Sequence, residues 1–393
     1  MRQMKKRVIR YLKHLALTLL VLLIAGVITL YALNGNAHYA DNPQKKNWHN
    51  EGPYVFYEND TTLSVNYISG NKEMGFAVEE NQQSIHAKTE LSCYFNLDSS
   101  SFKFIIEADP KIPESIYEDA HKILAISDIE SGYRTFRDFL IHHRVIDEKL
   151  DWIFGEGHLV LLGDFVDRGF STTQVLWFIY MLEQKAERHG GMVHFILGNH
   201  EIKNLQGNHT KASLKYFYAA AILGKQQYEL YDSTSIIGRW MASKNTVELI
   251  NGHLFTHGGI SPEIIPHNTS IGFINNIVRQ NYRQAYYPKK DDDLEQLLIS
   301  PTKGPSWYRG YFQDDLSQGD VEATLRAFNA NTVVVGHTLQ RKVKKMYNGK
   351  VFAIDVNHPK DYRKSWPHQE SEGLLIQDGK YYRLLHDGTE IEL

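Results

Sequence analysis

The chain has 393 residues, of which 43 are basic, 46 are acidic and 12% are aromatic. This length allows one large domain or two, with enough sequence for a buried core. The near balance of charge argues against a nucleic-acid partner. Cys93 is the single cysteine, which excludes an intrachain disulfide and a cysteine-cluster metal site. We expect its thiol to be buried and inert.

The N-terminal segment is basic and then apolar. Six basic side chains precede an uncharged run over residues 15–33, which as a helix would span about 28 Å and so cross the hydrocarbon of a bilayer. The charge asymmetry predicts a cytoplasmic N-terminus and an extracytoplasmic remainder. We therefore predict a basic cytoplasmic segment with a transmembrane signal anchor over residues 1–37. A cleaved signal peptide near Ala37, with secretion of the chain, is the alternative.

The rest of the chain divides by its pattern into three parts. Residues 38–52 are polar and predict a linker. Residues 53–112 alternate like short strands and predict a small β-rich N-terminal region, with no visible chemistry. Residues 113–393 predict an α/β catalytic domain, because apolar β-branched runs alternate with helical stretches, as in largely parallel sheets.

Two hairpins are predicted within the α/β part. The dipeptides Asn251-Gly252 and Asp378-Gly379 each separate two apolar runs, and such dipeptides are strong signals for two-residue turns. Antiparallel strands therefore join the parallel ones, and we expect one mixed sheet or two packed sheets.

Five predicted strands end in corners that carry Asp, Asn or His together with Gly or Ser. The segments are AISDIE (125–130), LLGDFVDRG (161–169), ILGNHE (196–201), FTHGG (255–259) and VVVGHT (333–338). Ligands bind outside the carboxyl ends of strands in open α/β sheets. Divalent Mn, Fe or Zn takes this mixture of side chains. One such corner would mean little, but five predict a metal centre.

Several of these segments also carry a family resemblance. GDFVDRG, GNHE, HGGISP and VVVGHT, in this order, resemble the PPP-type phosphoprotein phosphatases of the calcineurin-like metallophosphoesterases. GPSWYRGYF (304–312) and residues 236–259 are similar to the Shewanella-like branch. The resemblance covers 122 to about 356 and implies a metallophosphoesterase-type mixed β-sandwich flanked by helices. It also implies a phosphomonoesterase that acts on phosphoserine, phosphothreonine or phosphotyrosine in proteins.

The resemblance implies two divalent metal ions held by the corners. Asp164 would bridge both ions and Asp128 would bind the first, while Asn199, His257 and His337 would bind the second. A hydroxide between the ions would attack the phosphate.

Four further residues would serve the phosphate and the leaving group. His200 is the implied general acid, held by Asp167, while Arg168 and Arg309 hold phosphate oxygens beside Asn199. A doubly charged ester suits guanidinium forks, and a histidine partnered by a carboxylate can supply a proton near neutral pH. Asp167 as a helix cap and Arg309 as a surface arginine stacked on an aromatic ring are the alternatives.

Glu130 departs from the family's first motif, which has a histidine there. It is a ligand of the first metal, or it lies nearby while water completes the coordination, or the first site is lost. The third case gives a phosphate-binding pseudophosphatase. Three carboxylates against about +4 from two ions favour Glu130 as a ligand and favour Mn or Fe over Zn. Glu201 and Asp355 are predicted to orient ligands.

The natural substrate stays open at this point. The aromatic segment WYRGYF (307–312) suits stacking of a phosphotyrosyl ring. A nucleotide or small-molecule phosphohydrolase outside the cytoplasm is the rival, because soluble phosphate esters need the same metal chemistry.

Overall fold

The computed structural model describes residues 2–32, 37–40, 47–287, 293–313, 316–366 and 369–393. Parts of each predicted segment but the β-rich region lie outside the described residues: 1 and 33–36 of the anchor, 41–46 of the linker, and 288–292, 314–315 and 367–368 of the catalytic domain. Within the described ranges, the helices are α1 (Arg2–Ala32), α2 (Tyr133–His142), α3 (Thr172–Arg188), α4 (Asn199–Leu205), α5 (Leu214–Ile222), α6 (Ile236–Ala242), α7 (Ile271–Asn281), α8 (Leu294–Ile299) and α9 (Gln318–Ala327).

The strands of the same ranges follow in chain order. They are β1 (Ala37–Ala40), β2 (Trp48–Tyr57), β3 (Thr62–Asn71), β4 (Gly75–Ser84), β5 (Glu90–Phe95), β6 (Ser100–Ile105), β7 (Ile116–Tyr117), β8 (Ile123–Ile126), β9 (His158–Leu162), β10 (Met192–Ile196), β11 (Val247–Ile250), β12 (His253–Thr256), β13 (Thr332–Val335), β14 (Lys344–Met346), β15 (Val351–Ala353), β16 (Arg363–Trp366), β17 (Glu372–Gln377), β18 (Lys380–Leu385) and β19 (Glu390–Glu392).

The chain forms two compact units. The smaller unit comprises Met1–Ala40 with Arg363–Gln369, and the larger comprises Asp41–Tyr362 with Glu370–Leu393. In the smaller unit, α1 is exposed along almost its whole length, and it is long and apolar enough to cross a membrane. Strand β1 pairs antiparallel with β16 in the same unit.

Two six-stranded sheets form the centre of the larger unit. Their strand orders are β10-β9-β8-β17-β18-β19 and β14-β15-β13-β12-β11-β7. Alternate side chains of both sheets, such as Ala125, Val160 and Val334, share one buried cluster, while Leu124 packs on the opposite side with helix residues such as Phe136. This arrangement confirms the mixed β-sandwich flanked by helices, and the period of two along each strand explains it.

Parallel strands bring the predicted corners to the strand ends. Strands β8, β9 and β10 are parallel in one sheet, and β12, β13 and β15 are parallel in the other. Each of the five corners follows one of these strands. The sixth strand, β15, is followed by Asp355 and the segment 356–361.

Both predicted hairpin turns are confirmed. Asn251 and Gly252 join β11 to β12 with φ of 50° and 78°, and Asp378 and Gly379 join β17 to β18 with φ of 52° and 71°. Two consecutive positive φ values are the signature of the type I′ turn, whose twist matches that of the paired strands.

The β-rich region begins earlier than predicted. Strand β2 starts at Trp48, so the predicted linker over 38–52 is wrong at its C-terminal end, and its first residues, 38–40, lie in β1. The cause is burial, because Trp48 and Glu51 are 2% and 1% exposed. The region packs on the α/β part, where Trp177 Nε1 donates to Pro53 O at 2.8 Å. The predicted boundary at residue 112 thus falls inside one compact unit.

Cys93 lies in the core of this region. Its side chain is fully buried, and burial raises the pKa of its thiol well above the ordinary value. The thiol is therefore protonated at neutral pH and unreactive.

A buried ion pair joins the β-rich region to α5. Lys215 Nζ lies 2.7 Å from Glu51 Oε1, and the two side chains are 6% and 1% exposed. We expect Lys215→Met to lower the free energy of unfolding by about 3–5 kcal/mol, because Glu51 would stay buried without its cation. The double variant Glu51→Leu with Lys215→Met should recover much of that loss. Urea denaturation of the single and double variants measures the two free energies of unfolding. An unchanged free energy of unfolding in Lys215→Met would contradict the expectation.

Candidate active site

The corners hold six predicted site residues in a left-handed backbone conformation, three of which are implied metal ligands at the strand ends. Asp128, Asp164 and His337 have φ of 55°, 56° and 62°, which costs a residue other than glycine about 1–2 kcal/mol. Such strain persists where the surroundings fix the backbone. Here Asp128 N donates to Gly163 O at 2.9 Å, and His337 N donates to Asp128 Oδ2 at 3.2 Å. These bonds aim the side chains of separate strands at one place.

Glu201 binds the corners after β9 and β10 to each other. Its carboxylate accepts hydrogen bonds from the backbone amides of Asp164 and Gly198, both at 2.9 Å, and of Phe165 and Val166 at 2.8 and 3.2 Å. A Cβ atom on Gly198 would lie 2.4 Å from Asp164 Oδ1, so only glycine allows this approach. The buried carboxylate therefore orients the corner that presents Asp164.

Asp164, His257 and His337 form a buried cluster whose ligand atoms lie within 4.8 Å of one another. His257 Nδ1 donates to Leu162 O at 2.7 Å, which turns Nε2 toward Asp164 Oδ2 at 3.2 Å. Burial opposes the charged form of His257, but Asp164 prevails and raises its pKa to about 9. The proton held there is the one that a bound cation would displace.

Asn199 and His337 complete the same cluster. Burial, together with the nearby His257, lowers the pKa of His337 to about 2, so its ring is neutral and can act as a ligand. One end of the Asn199 carboxamide lies 3.0 Å from His337 Nδ1 and 3.2 and 3.3 Å from the Asp164 oxygens. An amide oxygen, two imidazoles and a carboxylate that converge in this way fit a divalent metal ion.

Two further buried carboxylates, those of Asp128 and Asp355, interact with Asp164. Burial and the neighbouring Asp355 raise the pKa of Asp128 well above its ordinary value. Burial and Asp164 raise the pKa of Asp355 to about 8. Neighbouring like charges destabilise one another, and a cation between them would relieve the repulsion. This donor set suits a second ion, although Asp128 as its ligand stays a prediction.

His200 lies beside the cluster with its orientation fixed. Its Nδ1 donates to Asp167 Oδ2 at 2.8 Å, and Asn204 Nδ2 donates to the other oxygen of Asp167 at 3.0 Å. Arg168 Nη2 lies 3.1 Å from His200 Nε2. Asp167 thus bonds the imidazole directly and fixes the orientation of the ring.

Arg309 reaches the site although it is remote in sequence. Pro305 O accepts from the amides of Gly258 and Gly259 at 2.7 and 3.0 Å, so the segment that carries Arg309 is attached to the corner after β12. Arg309 Nη1 then donates to His337 O at 2.7 Å. The guanidinium lies over the cluster rather than on a distant surface.

Comparison with known proteins identifies this arrangement. The sequence pattern described as calcineurin-like phosphoesterase matches residues 121–341, more than half of the chain. The chain belongs to the calcineurin-like phosphoesterase family.

Similar phosphatases occur among solved structures and curated proteins. The crystal structure of the cold-active protein-tyrosine phosphatase of a psychrophile Shewanella sp. has a TM-score of 0.75 and 31% identity, and the match covers 88% of this chain and 100% of that chain. Shewanella-like protein phosphatase 2 of Arabidopsis thaliana is 24% identical, over 67% of this chain and 79% of its own. Shewanella-like protein phosphatase 1 of Plasmodium berghei is 26% identical, over 65% and 74%. This family member is a metal-dependent phosphatase, as its motifs predicted.

Glu130 contacts two side-chain cations, one of which, Lys360, the sequence did not predict at the site. Its Oε1 accepts from Arg168 and its Oε2 accepts from Lys360. Both carboxylate oxygens therefore bind side-chain cations, and each has a second lone pair for a further partner. Glu130 as a ligand of the first metal stays a prediction, as does the alternative in which it lies near that metal without binding it.

Most of the predicted site residues of this phosphatase line one cavity of about 680 Å³. His257 and Asp167 are buried behind its wall. The predicted residues on the wall are Asp128, Glu130, Asp164, Arg168, Asn199, His200, Arg309 and His337.

Three lysines on the same wall were missed: Lys203, Lys211 and Lys360. A signal existed for two of them. Lys203 follows Asn199 by one helical turn on α4, so both lie on one face. Lys360 follows β15 and Asp355, at a sixth strand end.

Proposed function

We propose that this phosphatase hydrolyses phosphomonoesters of proteins with two divalent ions, Mn or Fe rather than Zn. The convergence of Asp164, Asn199, His257 and His337 beside His200 carries the proposal. Bound ions would neutralise the phosphate and acidify the attacking water. The carboxylates of the first site favour oxygen-preferring metals.

The chain's own residues would manage the proton of the leaving group. Arg168 Nη2 donates to His200 Nε2 at 3.1 Å, so this nitrogen accepts and carries no proton in this arrangement. A phosphate that draws Arg168 toward its oxygens would leave Nε2 able to hold a proton. Nδ1 would still donate to Asp167, and His200 could then protonate the leaving oxygen.

An aromatic ring would fit beside the phosphate. Trp307 and Tyr308 line the cavity together with Leu339 and Arg309. Stacking on these rings would add binding energy for a phosphotyrosyl side chain that phosphoserine lacks. The Shewanella relative, which is described as a protein-tyrosine phosphatase, supports the same choice.

A substrate panel tests this proposal. We expect kcat/KM to be highest for phosphotyrosyl peptides, intermediate for phosphoseryl peptides and lowest for nucleotides, with Trp307→Ala reducing only the preference for tyrosine. Equal values for phosphotyrosine and phosphoserine would contradict the aromatic preference. Nucleotides as the best substrates would replace the protein phosphatase with a small-molecule phosphohydrolase.

The N-terminal helix α1 would anchor the phosphatase in a membrane, with the catalytic domain outside the cytoplasm. Its length and apolar composition support a span, and the basic residues before it support this orientation. A protease added outside intact cells should then digest the catalytic domain while the mass of the N-terminus shows no cleavage near Ala37. A mature chain that begins near Ala37 would establish the secreted alternative.

A further inference from the structure

We propose that Lys360 is a phosphate-binding residue of this site, held in place with Arg168 by Glu130. The inference rests on the proposed phosphatase function and deepens it. It adds an ammonium group to the side chains that receive the phosphate, and it gives Glu130 a positioning role.

The three side chains form one connected group on the cavity wall. Lys360 and Arg168 donate to the two oxygens of the Glu130 carboxylate, and all three residues line the catalytic cavity. The Lys360 side chain is 10% exposed, so it does not sample solvent like a surface lysine. An ammonium has three N–H donors and a guanidinium has five, so either group can bind more than one acceptor.

The residues on both sides of Lys360 are fixed to the first turn of α2. Thr135 Oγ1 donates to Pro359 O at 2.9 Å, and Arg134 N donates to the carboxylate of Asp361 at 3.3 and 3.4 Å. Helix α2 begins three residues after Glu130. The corner that carries Glu130 and the segment that carries Lys360 are therefore joined, and the ammonium is placed before a ligand arrives.

The charge of the group points to an anion as its ligand. A buried carboxylate needs one cation for balance, but Glu130 holds two, so the group carries one net positive charge. Arg168 keeps 46% of its side chain exposed, facing the open cavity. A phosphate monoester is a dianion whose oxygens suit charge-assisted bonds from both groups.

Phosphate binding to the full-length, metal-loaded protein in detergent tests the inference. Calorimetry with inorganic phosphate should give a Kd about tenfold to a hundredfold weaker for Lys360→Met than for the wild type. Lys360→Arg should keep most of the affinity, because the charge remains. In turnover, Lys360→Met should raise KM more than it lowers kcat. Glu130→Gln should also weaken phosphate binding, since it releases both cations.

The control removes a similar lysine from another cavity. Lys244 is 8% exposed and pairs with Glu183 at 2.6 Å, and it lines a separate cavity. Lys244→Met should leave phosphate affinity unchanged. Lys360→Gln, which can still donate to Glu130, replaces the Met variant if that variant fails to fold.

The outcomes separate the two proposals. Unchanged phosphate affinity in Lys360→Gln or Lys360→Met, with reduced thermal stability, would show that the lysine only balances Glu130 and would overturn this inference. The phosphatase proposal would stand in that case. A wild-type protein that neither binds phosphate nor turns over phosphopeptides would overturn the proposed function itself.

Discussion

Asp164→Asn is expected to reduce kcat/KM for an aryl phosphate by about a thousandfold or more, because it removes the carboxylate at the centre of both implied metal sites. Asp164 Oδ1 accepts from His200 N at 2.9 Å, and Oδ2 lies 3.2 Å from His257 Nε2. An asparagine keeps the shape but must turn an NH₂ group toward one of these partners. It also removes the negative charge that the two proposed cations would share.

Elemental analysis distinguishes this effect from simple unfolding. The wild type should hold two divalent ions per chain, and Asp164→Asn should hold fewer at the same melting temperature. Asp151→Asn is the matched control, because Asp151 is exposed, pairs with Lys185 and does not line the catalytic cavity. Two ions and full turnover in Asp164→Asn would contradict the assignment of the bridging residue. One ion and no turnover in the wild type would instead favour the pseudophosphatase.

The strand-end corners could be predicted because their chemistry is local. An apolar run followed by Gly163 and Asp164, or by Gly198 and Asn199, shows both the strand and the polar tip in consecutive residues. Parallel pairing of the strands then brings these polar ends to the same edge of the sheet, whatever the conformation of the connecting loops. The corners therefore predicted most of the site residues that the cavity exposes, whereas the sandwich was implied by the family resemblance.

The partners of Glu130 could not be predicted in the same way. Glu130 and Lys360 are 230 residues apart, and no motif contains both. Their contact depends on how the segment after β15 folds back onto α2, which involves Pro359 and Asp361. In the sequence, the charges of Asp128, Glu130 and Asp164 could be compared only with those of the two metal ions. That comparison favoured Glu130 as a metal ligand, because the two side-chain cations beside it were not included.

The start of β2 shows the same limit for the fold. Residues 38–52 are polar on average, and this polar composition predicted a linker. Glu51 belongs to a buried strand because Lys215 on α5 neutralises it. Composition alone predicts that a charged residue such as Glu51 lies in an exposed linker. A charged partner allows the same residue to be buried in the core, and the structure is needed to show that partner.

His200→Asn is expected to lower kcat by about a hundredfold to ten-thousandfold for a phosphoseryl peptide. The alkoxide that leaves from phosphoserine requires a proton, and His200, bonded to Asp167 at 2.8 Å, is placed to supply it. An aryl phosphate with several electron-withdrawing groups leaves as a stable anion. Its turnover should fall far less in the same variant, so the ratio of the two losses measures proton donation.

The two substrates separate proton donation from a loss of phosphate binding. Asp167→Asn should reproduce part of the difference between them, because it weakens the hydrogen bond that orients the His200 imidazole. His189→Asn, a change on the surface at the end of α3, should alter the turnover of neither substrate. Equal losses for the two substrates in His200→Asn would assign His200 to phosphate binding, with the proton then coming from water.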